Sequence, residues 1–283
     1  MTPTTTETLI DLPFGPCAVR VTGEGPPVLL VHGVIVNGHL WDPIVPALAV
    51  DHQVIQPDLP LGAHAHPARH RELVTPEGVA DSLAALVDAL GHDQVVVVGN
   101  DSGGAISQIF TARHPDRVRA LVLTTCDAFD HFPPTLLKPL KPMLAVPGMV
   151  DVLGFLYRFG PVRRSWAGAG LVISDIDDAM IAPYFDRLSS DREARRDMAR
   201  FVRGCRPALT HAAAEELRSF PRPVLLAWGR GDRLFPEADA RRLHEMIPDS
   251  ELTWIEDTKT FSMIDQPERL VAVIRPFLER LDP

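Results

Sequence analysis

The stretch Val95-Val96-Val97-Val98-Gly99-Asn100-Asp101-Ser102-Gly103-Gly104-Ala105-Ile106 restricts what this chain can fold into more than any other. Four consecutive β-branched residues predict a short strand covered on both faces, because a strand with one wet face would alternate apolar with polar residues. Glycines then interrupt the run, and Ala105, Ile106, Ile109 and Phe110 open a helix-compatible pattern at once. A strand must therefore turn sharply into a helix. Gly99 and Gly103 flank Asp101, where side chains would collide with the turn. Asp101 is thus expected at the apex, beside a helix N-terminus whose backbone N–H groups can meet a developing anion.

Short apolar runs alternate with amphipathic ones on either side of this stretch. Leu9 to Leu12 and Cys17 to Val21 predict a hairpin, Pro27 to Val31 and His52 to Gln56 two further strands, and Val118 to Thr124 another. Thr75-Pro76-Glu77 predicts a helix start, with a hydroxyl cap and proline at the first helical position. Such alternation implies an α/β fold with a doubly wound, mostly parallel sheet, whose ligands sit at the carboxyl ends of the strands. After Asp127 the alternation stops. From Phe129 to about Arg222 the pattern is prolines followed by helical spacing, and strand-like runs resume at Pro223 to Trp228 and Glu251 to Ile255.

These residues resemble the α/β-hydrolase family, and within it the aspartate-nucleophile branch of epoxide hydrolases and haloalkane dehalogenases. Their nucleophile elbow reads G-x-D-x-G, matched here by Gly99 to Gly103 with Asp101 as the nucleophile. Ser102 as nucleophile would instead place Asn100 at the first elbow position. His32-Gly33 resembles the family's H-G motif, and the resemblance implies oxyanion donors at the backbone N–H groups of Val34 and Ser102. It also implies a core of residues 1–128 and 222–283, with 129–221 as an inserted helical cap over the site.

Gly229-Arg230-Gly231-Asp232 resembles the family's W-G-x-x-D loop and implies Asp232 as the acid that orients a base. The base itself is missing. Phe261 and Gln266-Pro267-Glu268 set the register of the family's last motif, and they put Thr260 where histidine is expected. A hydroxyl cannot activate water near neutral pH, and loss of a general base costs about two to four orders of magnitude. Three explanations stand open: a substituted variant, a different base, or chemistry without hydrolysis. His131, where core meets cap, is the candidate substitute base. Asp127 closes a strand that carries the triad acid in some relatives.

Dehalogenases of this family place tryptophan after the nucleophile and a polar residue after H-G. Ser102 and Val34 stand there instead, which argues against halide chemistry. Tyr157, Tyr184 and Trp166 fall in the expected cap and are candidates for substrate binding, the tyrosines because epoxide hydrolases protonate the opening oxygen with such groups. The first functional expectation is an epoxide-hydrolase-like enzyme in which Asp101 attacks an electrophilic carbon of a small apolar substrate. The alternatives are a non-hydrolytic cyclase, isomerase or lyase using Asp101 as acid/base, and a ligand-binding pseudoenzyme.

With 28 Lys and Arg against 37 Asp and Glu, the net charge of −9 argues against nucleic acid or an anionic membrane as partner. A small-molecule substrate, a monomer or homodimer, and a cytoplasmic location are expected, the last because neither a signal peptide nor a spanning run is present. Cys17, Cys126 and Cys205 lack ligand spacing and suggest packed, reduced thiols. His64, His66 and His70 lie in a Pro/Ala/Arg-rich segment and are expected on a solvated loop. No metal or cofactor is expected, since no dinucleotide fingerprint or phosphate loop is present.

Overall fold

The computed structural model describes residues 4–165 and 168–281. Eight strands form one sheet: β1 (Thr5–Leu12), β2 (Gly15–Thr22), β3 (Pro27–Val31), β4 (Gln53–Pro57), β5 (Val95–Asp101), β6 (Val118–Cys126), β7 (Val224–Gly229) and β8 (Ser250–Ile255). Their order is β1-β2-β4-β3-β5-β6-β7-β8. The opening hairpin pairs antiparallel, β2 joins β4 antiparallel, and every pair from β4 onward is parallel. This is the α/β-hydrolase fold.

The four valines show why β5 is central. Val95 and Val97 belong to one core layer and Val96 and Val98 to the other. All four are buried, so the unbroken apolar run serves both faces at once. The first layer is filled by the helices Pro76–Ala89, Ser102–Arg113 and Pro207–Leu217, and the second by the helix Pro267–Leu281. Thr75 caps the first of these, its hydroxyl accepting from the Gly78 N–H at 3.1 Å.

Between β6 and β7 the regular elements of the described residues are all helical, the longer ones being Met149–Leu156, Asp178–Ser190, Arg192–Gly204 and Pro207–Leu217. Among the described residues no helix is long and apolar enough to cross a membrane. All three cysteines are free and buried.

The expectation of a solvated histidine loop is corrected for His64. Its side chain is buried, and Nε2 lies 3.3 Å from Asp197 of the helix Arg192–Gly204. Asp197 also accepts from Arg71 Nε at 2.5 Å and from the Ala68 N–H at 2.9 Å. The pairing ties the loop after β4 to the helical segment. His66 and His70 are exposed.

Candidate active site

β5 ends at Asp101, and the helix Ser102–Arg113 begins with the next residue. Asp101 has φ 53° and ψ −133°, a strained conformation for a residue with a side chain, and it makes no capping bond to its own helix. The turn is closed by contacts that only glycine permits. A Cβ on Gly103 would strike the carbonyls of Val31 and His32, and one on Gly99 would strike Ser107 and the Gly103 carbonyl. The elbow is therefore pressed onto the loop after β3.

That loop brings its own donors. The N–H groups of Ser102 and Val34 lie near the Asp101 carboxyl and favour its charged form. His32 holds the loop in place: its Nε2 accepts from the Leu59 N–H at 2.9 Å while Nδ1 meets the Gly33 carbonyl at 2.8 Å. Burial lowers His32 to about 4, so the ring stays neutral and structural. Gly33 lies against the carboxyl itself, and a Cβ there would overlap Asp101 Oδ2. The Gly33→Ala variant should therefore keep its fold yet displace the carboxyl from its donors. Product formation that is abolished by Asp101→Asn should run about 100-fold slower in this variant; an unchanged rate would mean that Gly33 does not shape the site.

Asp101 as a residue is only 6% exposed. Burial is the main force on it, and the nearby Asp232 charge adds to it. Together they outweigh the backbone donors and raise the carboxyl from 3.8 to about 7. Asp232 follows β7 and is gripped at Oδ1 by the N–H groups of Leu234 and Phe235, at 2.7 and 2.8 Å. Its Oδ2 accepts the Thr260 hydroxyl at 2.7 Å. Burial pushes Asp232 up despite these three bonds. Asp101, Asp232 and Thr260 thus meet in one place, as do Val34 and Ser102, and the hydroxyl of Thr260 is spent on the acid.

Two residues that the sequence reading passed over position this group. Asn100 donates through Nδ2 to the carbonyls of Thr124 and Thr260, at 2.9 and 2.8 Å, and so ties β5 to the loop that carries Thr260. Lys259 reaches the other way, its Nζ donating to the carbonyls of Gly170 and Ile173, each at 2.9 Å. The Phe261 N–H joins Val172 at 2.9 Å. A polar residue buried next to an elbow aspartate was the available signal for Asn100; nothing local marks Lys259.

The remaining candidates are His131, Tyr157, Tyr184 and Trp166. His131 hydrogen-bonds Asp239 through Nδ1 at 2.6 Å, and none of its hydrogen bonds goes to Asp101 or Asp232. Tyr157 is buried with its ring edge-on to Phe185 at 4.9 Å, and burial raises its phenol. Tyr184 is buried as well, and its phenol feels burial first and then the charges of Asp42 and Arg20. Trp166 lies outside the described residues.

A family model described as alpha/beta hydrolase fold matches residues 26–153. A haloalkane dehalogenase of Mycobacterium tuberculosis is 28% identical over 261 residues, covering 89% of this chain and 87% of its own. A cis-3-alkyl-4-alkyloxetan-2-one decarboxylase of Xanthomonas campestris is 28% identical over 279 residues, covering 91% and 89%. Among solved structures, a haloalkane dehalogenase from Bradyrhizobium elkani superposes with a TM-score of 0.82 at 20% identity, over 99% of both chains. Sheet order, elbow and these likenesses agree: the chain has the α/β-hydrolase fold and is similar to the haloalkane dehalogenases.

Proposed function

We propose that this chain is an enzyme acting on a small, largely apolar molecule, with the Asp101 carboxyl as the reacting group and a reaction that ends without hydrolysis. The observation that carries the reading is the bond between Thr260 and Asp232. Where a water-activating imidazole would stand, a hydroxyl with no basic function faces the acid. An ester formed on Asp101 would have no partner to hydrolyse it. A carboxyl raised to about 7 in a nearly dry site is, however, suited to giving and taking protons at neutral pH. Ring opening, ring closure or elimination on a substrate with a strained or activated C–O bond fits that capacity. One similar protein is named for decarboxylating an oxetanone, which supports chemistry of that kind on this fold. Residues 129–221 serve as the cap, and His131, hydrogen-bonded to Asp239, has no part in this reading.

A second reading keeps the ester. The Ser102 and Val34 N–H groups aimed at Asp101 would stabilise negative charge on it, and the similarity to haloalkane dehalogenases favours attack on carbon. The two readings are separated by incubating the protein with an epoxide, an alkyl bromide and a β-lactone in ¹⁸O-water, with intact-mass and product analysis. Product without water oxygen, abolished by Asp101→Asn, is the expected result. Product carrying the label would refute the non-hydrolytic reading, and a persistent mass adduct on Asp101 without product would establish the ester reading with its second half lost.

A further inference from the structure

The large apolar side chains that the fold leaves in water are not scattered. Among the described residues, seven of the ten that stand exposed lie between residues 136 and 159. At the centre of this stretch is the helix Met149–Leu156. A surface helix normally turns an apolar stripe inward and a polar one outward. This helix is apolar on both sides. Gly154 is buried against the Arg195 guanidinium, and Tyr157, just beyond the helix, is buried against Phe185. On the other side Val152, Phe155 and Leu156 recur at the spacing of one helical face, and the stripe runs on to Phe159 in the turn that follows. Each of the four is 41–55% exposed. The rings of Phe155 and Phe159 meet edge to face at 5.3 Å.

A concentrated apolar surface in water marks a contact face. Charge indicates what covers it. Residues 136–159 carry three cations, Lys138, Lys141 and Arg158, and one acid, Asp151, which Arg192 already holds through bonds of 2.9 and 2.8 Å. Lys138 and Arg158 are exposed. Where the helix begins, a groove of about 390 Å³ opens between residues 144–150 and Arg71, Arg192, Arg196 and Arg203. Among the described residues no acid lines it. Asp151, Glu193 and Asp197 bond three of these arginines and so fix their guanidinium groups in place. A lining of fixed N–H donors suits an anionic oxygen.

We propose that this outer face of the helical segment docks on an anionic lipid surface. The stripe from Val152 to Phe159 enters the boundary between headgroups and acyl chains, and the arginine groove receives headgroup phosphate. A short helix with aromatic and aliphatic side chains on its outer face and basic residues around it lies in such a boundary without crossing it. The net charge of −9 is a sum over the whole chain. An anionic surface attracts the basic face and repels the remainder, which fixes the orientation of landing. A second copy is the poorer occupant, because a two-fold contact through this face brings like charges together. The inference is independent of the chemistry at Asp101.

Flotation of the full chain with lipid vesicles tests it without any turnover. In low salt the wild type should bind phosphatidylglycerol vesicles about tenfold or more tightly than phosphatidylcholine vesicles, and the difference should shrink as salt screens the charges. Phe155→Ser combined with Phe159→Ser should weaken binding to phosphatidylglycerol about tenfold, and so should Lys138→Glu combined with Arg158→Glu. All four side chains are exposed, so the fold should persist, as a circular dichroism melt verifies. Should the phenylalanine pair not fold, the charge pair carries the test. Absence of binding to phosphatidylglycerol would overturn the proposal, as would equal binding to both lipids or binding that neither pair weakens. Sedimentation velocity reads the rival occupant: a dimer that the phenylalanine pair dissolves, without vesicle binding, would assign the face to a second copy.

Discussion

At pH 8 the Asp101→Asn protein melts about 5 °C or more above wild type while losing all chemistry at the elbow. The amide keeps the shape of the carboxyl, and asparagine tolerates positive φ as aspartate does. What changes is charge. The carboxyl is raised from 3.8 to about 7 by burial and by Asp232, so the folded protein binds this proton more tightly than the unfolded chain. Below about pH 4 the group is neutral in both states and exerts no differential effect. Between about 4 and 7 the unfolded chain releases the proton and the folded one resists, so stability falls as pH rises. Above about 7 the full penalty is present. A shift of this size corresponds to a few kcal/mol, and the amide removes it. Melting curves of both proteins from pH 4 to 8 check the sign: the gap should close toward pH 4. Equal melting temperatures throughout would mean that the Asp101 carboxyl is not destabilised by its surroundings.

Thr260→His should produce the largest gain. The wild-type hydroxyl sits 2.7 Å from Asp232 Oδ2 in a fully buried position, on a loop already held by Asn100 and Lys259. An imidazole there would give one N–H to Asp232 and leave its second nitrogen to activate water. On the reading in which an epoxide alkylates Asp101, release of diol from that ester should accelerate by about two to four orders of magnitude. The ring is larger than threonine, so some repacking accompanies it, and a circular dichroism melt of the variant separates misfolding from failure of chemistry. A folded variant whose adduct persists as long as that of wild type would show that Thr260 does not occupy the place of a base.

What could be read from the residues alone depended on the range of the forces involved. The valine run and the glycines around Asp101 announce themselves because each states a local requirement: burial on two faces, and space beside a tight turn. Asp232 and Thr260 were reachable through a motif's register, although their hydrogen bond was not. His64 was misread as solvated because its partner, Asp197, lies 133 residues away and nothing local points to it. Asp127 was legible only as the residue that closes a strand; that neither of its buried carboxyl oxygens meets a donor is settled by tertiary packing. Tyr184 was a candidate by its position in the expected cap; that its phenol feels Asp42 and Arg20 could not be read from the sequence.

The strap from Lys259 to Phe261 has one further consequence. Its outer bonds go to Gly170, Val172 and Ile173, and its middle residue holds Asp232. Lifting residues 170–173 away from the sheet must either break three hydrogen bonds or drag Thr260 off the acid. The position of residues 170–173 and the hydrogen bonding of Asp232 are therefore mechanically coupled through three consecutive residues.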